Sequence, residues 1–409
     1  MDQHKSIGVE ASECAQLSRV PGFLFSGVAC GIKSENRRDL ALVYAEGGCN
    51  AAGVFTTNRV KAAPVLLAQE RIGLGPISCV VVNSGNANAC TGMPGYDAAV
   101  ATTQLVAARL GVEAQQVLPA STGVIGVPLP LAAIERGVGP LVDSLEPEVG
   151  AFAESILTTD RCTKIASTSL ILDGKRASIL AVAKGAGMIH PNMATTLGFV
   201  MTDAVISRPM LRRVLLRAAA DTFNRISVDG DTSTNDAIFL MASGALENHP
   251  IPASSPEEHR LLDSVTCVLE QVAKMIVQDG EGAEHLIRVQ VNGAPSEEAG
   301  VRVARTVATS SLVKTALFGR DPNWGRVLAA MGRSGVDFDP EKVEIWIGDV
   351  AVYRFGVSMN ESAEKEASAA MHQEQYTLEI RLHSGSHDAW YWTCDLGHSY
   401  VSINANYRS

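Results

Sequence analysis

Residues 184–199 read Lys184-Gly-Ala-Gly-Met-Ile-His-Pro-Asn-Met-Ala-Thr-Thr-Leu-Gly-Phe199. The glycines, the proline and the asparagine loosen and bend the backbone, and the small Ala194 then precedes the hydroxyl residues Thr195 and Thr196. The apolar segment 197–201 follows and predicts a buried strand. A hydroxyl at the start of a core strand, behind a bent loop, is where a self-cleaving threonine hydrolase or transferase would place its nucleophile.

The chemistry expected of this stretch begins with attack by the Thr195 hydroxyl on the Ala194 carbonyl, which gives an ester that water opens. Thr195 would then be a new N-terminus, and the pKa of such an α-amine is about 7.7–8.0. The amine can serve as the base for its own hydroxyl. On these residues alone, an ordinary Gly/Pro loop that enters a core strand would give the same pattern.

Length and composition place the chain among large globular proteins. Its 409 residues are enough for two domains, or for one α/β unit built from two lobes. Hydrophobic residues make up 46% and charged residues 19%, which predicts a soluble protein with a substantial core. The net charge of -10 leaves no basic face for a nucleic acid.

The cysteines and the apolar runs point to a cytoplasmic protein. None of the eight cysteines forms a CxxC pair, so zinc and redox-dithiol sites are not expected. The N-terminus lacks an apolar core of signal-peptide length. No apolar run is long enough to span a membrane.

Alternation of strand, turn and helix predicts layered α/β architecture rather than a β-sandwich. A valine-rich strand at 78–83 precedes a helix at 96–110, and a strand at 117–120 follows. Asp173-Gly-Lys175 predicts a hairpin turn between two strands. The other predicted strands are 23–30, 40–44, 51–56, 167–172, 176–183, two within 343–355, 376–382 and 388–394, and the other predicted helices are 153–157, 209–226, 261–277 and 300–309.

Further motifs recur in order along nearly the full length. They are Thr56-Thr-Asn-Arg59, Asn83-Ser-Gly-Asn-Ala-Asn-Ala89, Ser121-Thr-Gly-Val-Ile-Gly126, Val228-Asp-Gly-Asp-Thr-Ser-Thr-Asn-Asp236, Asp279-Gly-Glu-Gly-Ala283 and Asp321-Pro-Asn-Trp-Gly-Arg326. Together with residues 184–199, this set resembles the ornithine acetyltransferase (glutamate N-acetyltransferase) family. The resemblance implies a two-lobed α/β sandwich of sheets and helices in an autoprocessed enzyme whose nucleophile is an N-terminal threonine.

The same resemblance implies how the chain is divided and assembled. Residues 1–194 would be an alpha chain with the N-terminal lobe and the oxyanion turn. Residues 195–409 would be a beta chain that begins at Thr195 and carries the C-terminal lobe. The two chains would stay together as an α2β2 heterotetramer, with no partner nucleic acid or membrane.

Site residues follow from the matching motifs. Thr122 and Gly123 would form the oxyanion hole, because their turn offers a hydroxyl and closely spaced backbone N–H groups for the charge on an acyl oxygen. By themselves they are also compatible with an ordinary turn. The residues implied to contact the substrate are Thr159, Lys184, Thr195, Glu281, Asn404 and Ser409. In the pairing that we hypothesise, the lysine binds the substrate carboxylate and Glu281 binds an amine.

Other polar groups are expected to be structural. Asp229–Asp236 lacks the glycine and the terminal glutamate of an EF-hand loop, so we expect a hydrogen-bonded turn and no metal. His383 and His387 lack the glutamate of a HExxH helix, and we expect them to be solvated. His190 could act as a base, but the amine of the nucleophile makes it unnecessary.

Three residues depart from the family pattern. Arg161 stands where the family usually has threonine, and Glu284-His285 stands where it usually has threonine-lysine. The second change removes a positive charge and adds a negative one. The nucleophile and oxyanion motifs are intact, so the departures bear on which amino acid is preferred, with anionic ligands disfavoured.

The function implied is transfer of an acetyl group from N-acetylornithine to glutamate through an acetyl-threonine ester, which recycles acetyl groups in arginine biosynthesis. No bound cofactor is expected, and acetyl-CoA is a donor for some family members. Two alternatives remain open at this point. One is an N-terminal-threonine amidohydrolase or aminopeptidase that releases the acyl group to water, and the other is a binding paralogue without catalysis.

Overall fold

The computed structural model describes residues 17–190 and 196–406. Within these residues the strands form two sheets, one with eight strands and one with seven. The strands of the first sheet are β1 Phe23–Val28, β2 Leu40–Phe55, β3 Ile77–Asn86, β4 Val117–Val124, β5 Lys164–Leu172, β6 Lys175–Lys184, β7 Leu197–Thr202 and β9 Ala237–Ala242. Those of the second are β8 Ile226–Ser227, β10 Leu286–Ala294, β11 Glu344–Ile347, β12 Val350–Arg354, β13 Val357–Ser358, β14 Gln375–Arg381 and β15 His387–Cys394.

Helices cover both sheets. They are α1 Ala63–Arg71, α2 Gly92–Leu110, α3 Leu131–Asp143, α4 Gly150–Ser155, α5 Arg208–Asp221, α6 Pro256–Gln278, α7 Glu297–Ala308, α8 Ser311–Phe318, α9 Trp324–Gly332, α10 Glu361–Ala370 and α11 His398–Asn406. This mixed, layered α/β arrangement confirms the predicted fold class. No helix in the described part of the chain combines the length and the apolar character that crossing a membrane requires.

The first sheet has the order β4-β3-β2-β9-β7-β6-β5, with β1 also paired to β2. The predicted strands 40–44 and 51–56 are one continuous strand, β2, whose first half pairs with β3 and whose second half pairs with β9. β5 and β6 form the predicted hairpin. β7 lies between β6 and β9, and runs parallel to β9.

The predicted boundary between residues 194 and 195 does not separate the two sheets. β6 precedes this boundary and β7 follows it, and the two strands pair antiparallel from Ile179↔Thr202 to Lys184↔Leu197. The first sheet is therefore built from residues on both sides of the boundary. The division into two chains stays a prediction, and Ala194 and Thr195 lie outside the described residues.

Helix α6 joins the two sheets because it packs against both. It contacts β5 and β6 of the first sheet and β8, β10 and β15 of the second. Its buried stripe recurs at helical spacing, with residues such as Leu261, Val265, Val268 and Val272 in one cluster with Trp392 of β15. The helix begins earlier than predicted, because Ser255 caps it by accepting a hydrogen bond from the Glu258 N–H.

The predicted helix 209–226 is too long. Helix α5 ends at Asp221, where the Thr222 hydroxyl donates to the Ala218 carbonyl and the backbone leaves the helical region. Apolar residues continue to Ile226, but they belong to a 3₁₀ turn and to β8. Hydrophobic periodicity alone could not distinguish these elements. The predicted helix at 153–157 is also displaced, since α4 spans 150–155.

Phe199 of β7 lies at the centre of the first sheet's core. Its ring is fully buried, 5.0 Å from that of Phe152 in an edge-on contact and 5.8 Å from that of Phe239 in a stacked contact. We expect Phe199→Ala to lower the free energy of unfolding by about 3–5 kcal/mol, because the surrounding rings cannot close the cavity that it leaves. Phe355→Ala is the control, since that ring is 49% exposed. Denaturant unfolding measures both variants, and equal losses would contradict this account of the core.

Candidate active site

A cavity of about 230 Å³ lies where β4, β6, β7 and β9 come together. Its wall combines hydroxyl groups, carboxylates, one lysine and backbone from several of the sequence motifs. The lining residues are Thr122, Gly123, Ile125, Thr158, Thr159, Lys184, Gly185, Gly187, Met188, Ile189, Thr196, Leu197, Asp229, Asp231, Ser233, Asn235, Asp236, Glu281, Tyr400 and Asn404.

Most of the predicted site residues meet at this cavity. The six that line it are Thr122, Gly123, Thr159, Lys184, Glu281 and Asn404. Ala194, Thr195 and Ser409 lie outside the described residues. Thr196, the neighbour of the predicted nucleophile, lines the cavity at the start of β7. The structure therefore brings these six residues together in space, and their roles remain predictions.

The turn at Thr122-Gly123 is held against β3. Gly123 has a φ of 131°, and a Cβ there would lie 2.3 Å from the Gly85 carbonyl carbon, so only glycine fits. The Asn235 side-chain amide donates to the Ser121 carbonyl at 2.9 Å. Backbone conformation and this hydrogen bond therefore fix the turn at the cavity wall, as an oxyanion hole requires.

Lys184 extends from the end of β6 and is 7% exposed. Its ammonium donates to Thr158 Oγ1 at 2.8 Å and lies 3.7 Å from Asp160 Oδ2. The Asp160 side chain is fully buried and also contacts the buried Lys164, which in turn contacts Asp279 at 2.7 Å. The lysine is therefore a buried cation in a network of alternating charges, and not a solvated strand end.

Asp160 organises this network. Its carboxylate accepts from the Gly185 N–H at 2.6 Å, from the Thr158 N–H at 2.9 Å and from the Lys164 ammonium at 2.8 Å. Burial alone would raise the pKa of Asp160, but the ammonium groups of Lys184 and Lys164 outweigh it and hold that pKa well below its usual range. The sequence analysis did not single out Asp160, although it stands directly after Thr159.

Glu281 lines the cavity from the segment that follows α6. Its Oε2 accepts from the Asn404 side-chain amide at 2.8 Å, and its N–H donates to the Ala186 carbonyl. A Cβ on Gly187 would lie 2.5 Å from the Glu281 carboxyl carbon, so this approach depends on glycine. The tail forms helix α11, which brings Tyr400 and Asn404 to the cavity.

Segment 229–236 is the hydrogen-bonded turn that we expected, and it also lines the cavity. The Asp229 carboxylate accepts from the Met188 N–H at 2.6 Å and from the Ile189 N–H at 2.9 Å. It thereby anchors the loop that leads to residue 194. Burial raises the pKa of Asp229, and these N–H groups oppose the rise. The contribution of Asp229, Asp231 and Asp236 to the cavity was missed, because an Asx-rich turn gives no sign of what it faces.

The histidines differ partly from expectation. His383 is not simply solvated, since its Nε2 lies 2.8 Å from Glu344 Oε1. His387 is exposed, as predicted. His190 does not line the cavity, and its Nδ1 is 3.3 Å from the Ser227 hydroxyl. Burial lowers the pKa of His190.

The three departures from the family pattern lie off the cavity wall. Arg161 binds Asp279 at 2.9 Å, and Glu284 lies 3.7 Å from Arg320. His285 is buried with its Nδ1 3.0 Å from Asp395 Oδ2. Among the described residues, Glu284, His285 and Asp395 are the one group whose side-chain ligand atoms come close enough for a metal ion, but ion pairs and hydrogen bonds already engage all three.

A family model, curated relatives and a solved structure that are similar to this chain all carry the same name. The sequence matches the ArgJ family over residues 24–409. It is 46% identical to the arginine biosynthesis bifunctional protein ArgJ of Desulfotalea psychrophila, over 95% of this chain and 100% of that one. It is 45% identical to the protein of that name from Symbiobacterium thermophilum, over 95% and 97% of the two chains. A crystal structure of arginine biosynthesis bifunctional protein ArgJ from Bacillus halodurans is 40% identical, covers 51% of this chain and 98% of its own, and gives a TM-score of 0.49.

The buried charges around Asp160 lead to a prediction about stability and pH. We expect Asp160→Asn to lower the free energy of unfolding by about 3–5 kcal/mol at pH 7, because it removes the carboxylate that both buried ammonium groups contact and leaves only Lys164 with a second one, that of Asp279, among the described residues. The pKa of Asp160 is depressed in the folded state, so its stabilisation is complete above the unfolded pKa of about 3.9 and is lost as the pH falls below it.

Denaturant unfolding at fixed protein concentration, from pH 7 down to pH 3, measures this effect. The difference between the variant and the parent protein should be largest at pH 7 and should shrink below about pH 4. Asp339→Asn is the control, because its ion pair with Lys342 is exposed on the surface. A difference that stays constant with pH would contradict the proposed charge state of Asp160.

Proposed function

The chain belongs to the ArgJ family and is an ornithine acetyltransferase (glutamate N-acetyltransferase) of arginine biosynthesis, and we propose that Thr195 carries the acetyl group between the two amino acids. One observation supports this mechanism above all. A single small cavity holds the Thr122-Gly123 turn, the cation of Lys184 and the carboxylate of Glu281, and it includes Thr196, the residue bonded to Thr195.

Charge at the cavity suits a zwitterionic amino acid. Lys184 provides a cation, while Glu281, Asp229 and Asp231 provide carboxyl groups. N-Acetylornithine carries one carboxylate and one side-chain ammonium, so it can be bound at both ends. The volume of about 230 Å³ is smaller than the roughly 300–1,000 Å³ of sites for drug-sized ligands, which favours a small amino acid over a bulky coenzyme.

Self-cleavage comes first in this mechanism. The Thr195 hydroxyl attacks the Ala194 carbonyl, the peptide C–N bond breaks, and the resulting ester is hydrolysed by water. The products are a carboxylate at Ala194 and a free α-amine at Thr195. That amine then takes the proton from its own hydroxyl in the transfer reaction.

Acetyl transfer follows in two steps. The Thr195 oxygen bonds to the acetyl carbon of N-acetylornithine, the C–N bond breaks, and the proton passes through the α-amine to the leaving ornithine nitrogen. The glutamate amine then attacks the acetyl-threonine ester, and the proton that it loses returns to the threonine oxygen. In both steps Thr122 and the Gly123 N–H stabilise the oxyanion. Family membership favours glutamate over water as the acceptor.

The two chains should remain one folded unit after cleavage. β6 and β7 are joined by backbone hydrogen bonds over six residue pairs, and both are buried in the same sheet. Assembly into an α2β2 heterotetramer is part of the proposal. A cytoplasmic location is also proposed, supported by the free thiols of all seven cysteines in the described residues.

No bound cofactor takes part in the proposed mechanism, because a covalent threonine ester stores the acetyl group. Acetyl-CoA as an alternative donor is a separate proposal. Incubation of the enzyme with glutamate and acetyl-CoA, without N-acetylornithine, tests it. Formation of N-acetylglutamate would support acetyl-CoA use, and its absence under conditions where N-acetylornithine reacts would exclude it.

The central prediction concerns the covalent structure. Purified protein should migrate as two fragments under denaturing conditions, residues 1–194 and 195–409, and N-terminal sequencing of the second should give Thr-Thr-Leu. Thr195→Ala should remain one chain and lack activity, because it has no hydroxyl to attack Ala194. Native mass measurement should find the fragments together. A fully active protein of 409 uncleaved residues would contradict the mechanism.

The oxyanion turn gives a second prediction. Thr122→Ala should lower kcat on the order of 100- to 1,000-fold, because it removes one donor to the oxyanion. Self-cleavage should slow as well, since it passes through the same kind of intermediate. The fold should be unaffected, because the side chain lies at a cavity wall. Thr306→Ala on the exposed face of α7 is a suitable control for hydroxyl loss. Equal kcat values for the two variants would exclude Thr122 from the oxyanion hole.

A further inference from the structure

Two buried polar atoms at the cavity have no hydrogen-bond partner among the described residues. They are Thr196 Oγ1 and Asp236 Oδ2. The residues are 4% and 3% exposed and both line the cavity. Leaving such a group unpaired costs about 1–3 kcal/mol, and more when it is charged. Two such atoms on the wall of one cavity therefore indicate a ligand that pairs with them.

Thr196 and Asp236 are neighbours because of the sheet. β7 and β9 run parallel with Leu197 opposite Ala237, so the residue before each lies at the same edge. The Ala237 N–H donates to the Thr196 carbonyl at 3.0 Å, and the Thr56 N–H donates to the Asp236 carbonyl at 3.0 Å. The backbone at both positions is thus fixed by strand hydrogen bonds.

No described cation satisfies Asp236. The nearest source of positive charge is Lys184, whose ammonium is engaged by Thr158 and Asp160. The remaining charged groups on the cavity wall, Asp229, Asp231 and Glu281, are acidic. Burial raises the pKa of Asp236 well above its usual range, and hydrogen bonding to Ser233 and the charge of Lys184 do not reverse the rise. Asp236 therefore has the properties of a carboxyl group whose cationic partner is not among the described side chains.

We propose that Asp236, together with Thr196, is a positioning residue that binds the α-ammonium group of Thr195. This inference rests on the self-cleavage described under the proposed function. Before cleavage the nitrogen of residue 195 is a neutral amide with one N–H group. After cleavage it is an amine that can carry three N–H bonds and a positive charge. Consecutive Cα atoms are about 3.8 Å apart, so the new cation forms one residue away from the Thr196 hydroxyl.

The proposed contact gives the amine both an orientation and a counter-charge. When the Thr195 oxygen bonds to the acetyl carbon, the amine takes the hydroxyl proton and becomes positively charged. The Asp236 carboxylate stabilises that ammonium, which then gives its proton to the leaving nitrogen of ornithine. Asp236 neither contacts the acetyl group nor changes its own proton count in this sequence. Its effect is on the amine, and so on kcat.

Asp236→Asn tests the proposal, because an amide has nearly the same shape but no negative charge. We expect self-cleavage to proceed, since the cationic partner does not exist until cleavage is complete. We expect kcat to fall by about 10- to 100-fold, at or below the usual contribution of a general base. KM values for N-acetylornithine and glutamate should change less than about threefold.

The pH profile of kcat supplies the readout that a purely structural role would not change. Loss of the carboxylate removes stabilisation of the ammonium form, so the pKa of the α-amine should fall and the acidic limb of the profile should move to lower pH. Lys184, Asp160, Asp229 and Glu281 remain in the variant, so the shift reports Asp236 alone. Asp203→Asn is the matched control, because Asp203 is buried at the opposite end of β7 and accepts a hydrogen bond from the Ser178 N–H.

Each other outcome overturns the proposal. An uncleaved Asp236→Asn protein would show that Asp236 acts in cleavage itself. The KM for N-acetylornithine could instead rise while the acidic limb of the kcat profile stays at the same pH. That result would show that Asp236 binds the side-chain ammonium of the substrate. If Asp236→Asn does not fold, the pH profile of kcat is measured for Thr196→Val instead. An acidic limb at the same pH as in the parent protein would then also overturn the proposal. Failure of the parent protein to cleave would instead refute the proposed function.

Discussion

The buried carboxylate of Asp160 is the interaction on which the site depends. It binds the backbone of Thr158 and Gly185 and two ammonium groups, from Lys164 and Lys184. Through Lys164 the charges continue to Asp279, which directly precedes the Gly-Glu-Gly segment that carries Glu281. One network therefore links the ammonium of Lys184 on the cavity wall to the segment that carries Glu281. Removing one of these buried charges would leave its partners uncompensated, which is strongly destabilising.

The sequence motifs interlock around the same cavity. The side chains of Thr56 and Asn58 donate to the carbonyls of Ser233 and Thr232, which hold the Asx-rich turn in place. The Asx-rich turn also holds the Thr122-Gly123 segment, because the Asn235 amide donates to the Ser121 carbonyl. Motifs far apart in the sequence are thus neighbours in space, which explains why several of them match one family together. The Asp321–Arg326 motif is different, because it forms the capped start of α9 in the second sheet's layer.

Sequence reasoning located the layered fold, most long strands and six of the cavity residues, because those depend on local patterns and on matched motifs. It could not give the contacts of Asp160 or the position of Asp236 on the cavity wall, since an isolated aspartate in a sequence does not reveal what it will be buried against. It missed β9 and β10, although Ala237–Ala242 and Leu286–Ala294 are rich in β-prone residues. Hydrophobic periodicity also predicted a helix that continues past the end of α5 into β8, because apolar residues continue after the helix ends.

The proposed cleavage falls between two paired strands, and this pairing explains how the fold would survive it. The bond between residues 194 and 195 belongs to the connection between β6 and β7, outside the strands themselves, so its cleavage would remove no hydrogen bond of the ladder. On either side the chain is anchored, by Asp229 on the Met188 and Ile189 N–H groups and by β9 on the Thr196 carbonyl. A reactive bond can be placed in such a connection because the sheet, and not chain continuity, holds the two ends in place. The same arrangement places the start of β7 at the cavity, where Thr196 and Asp236 carry two polar atoms that have no partner among the described residues.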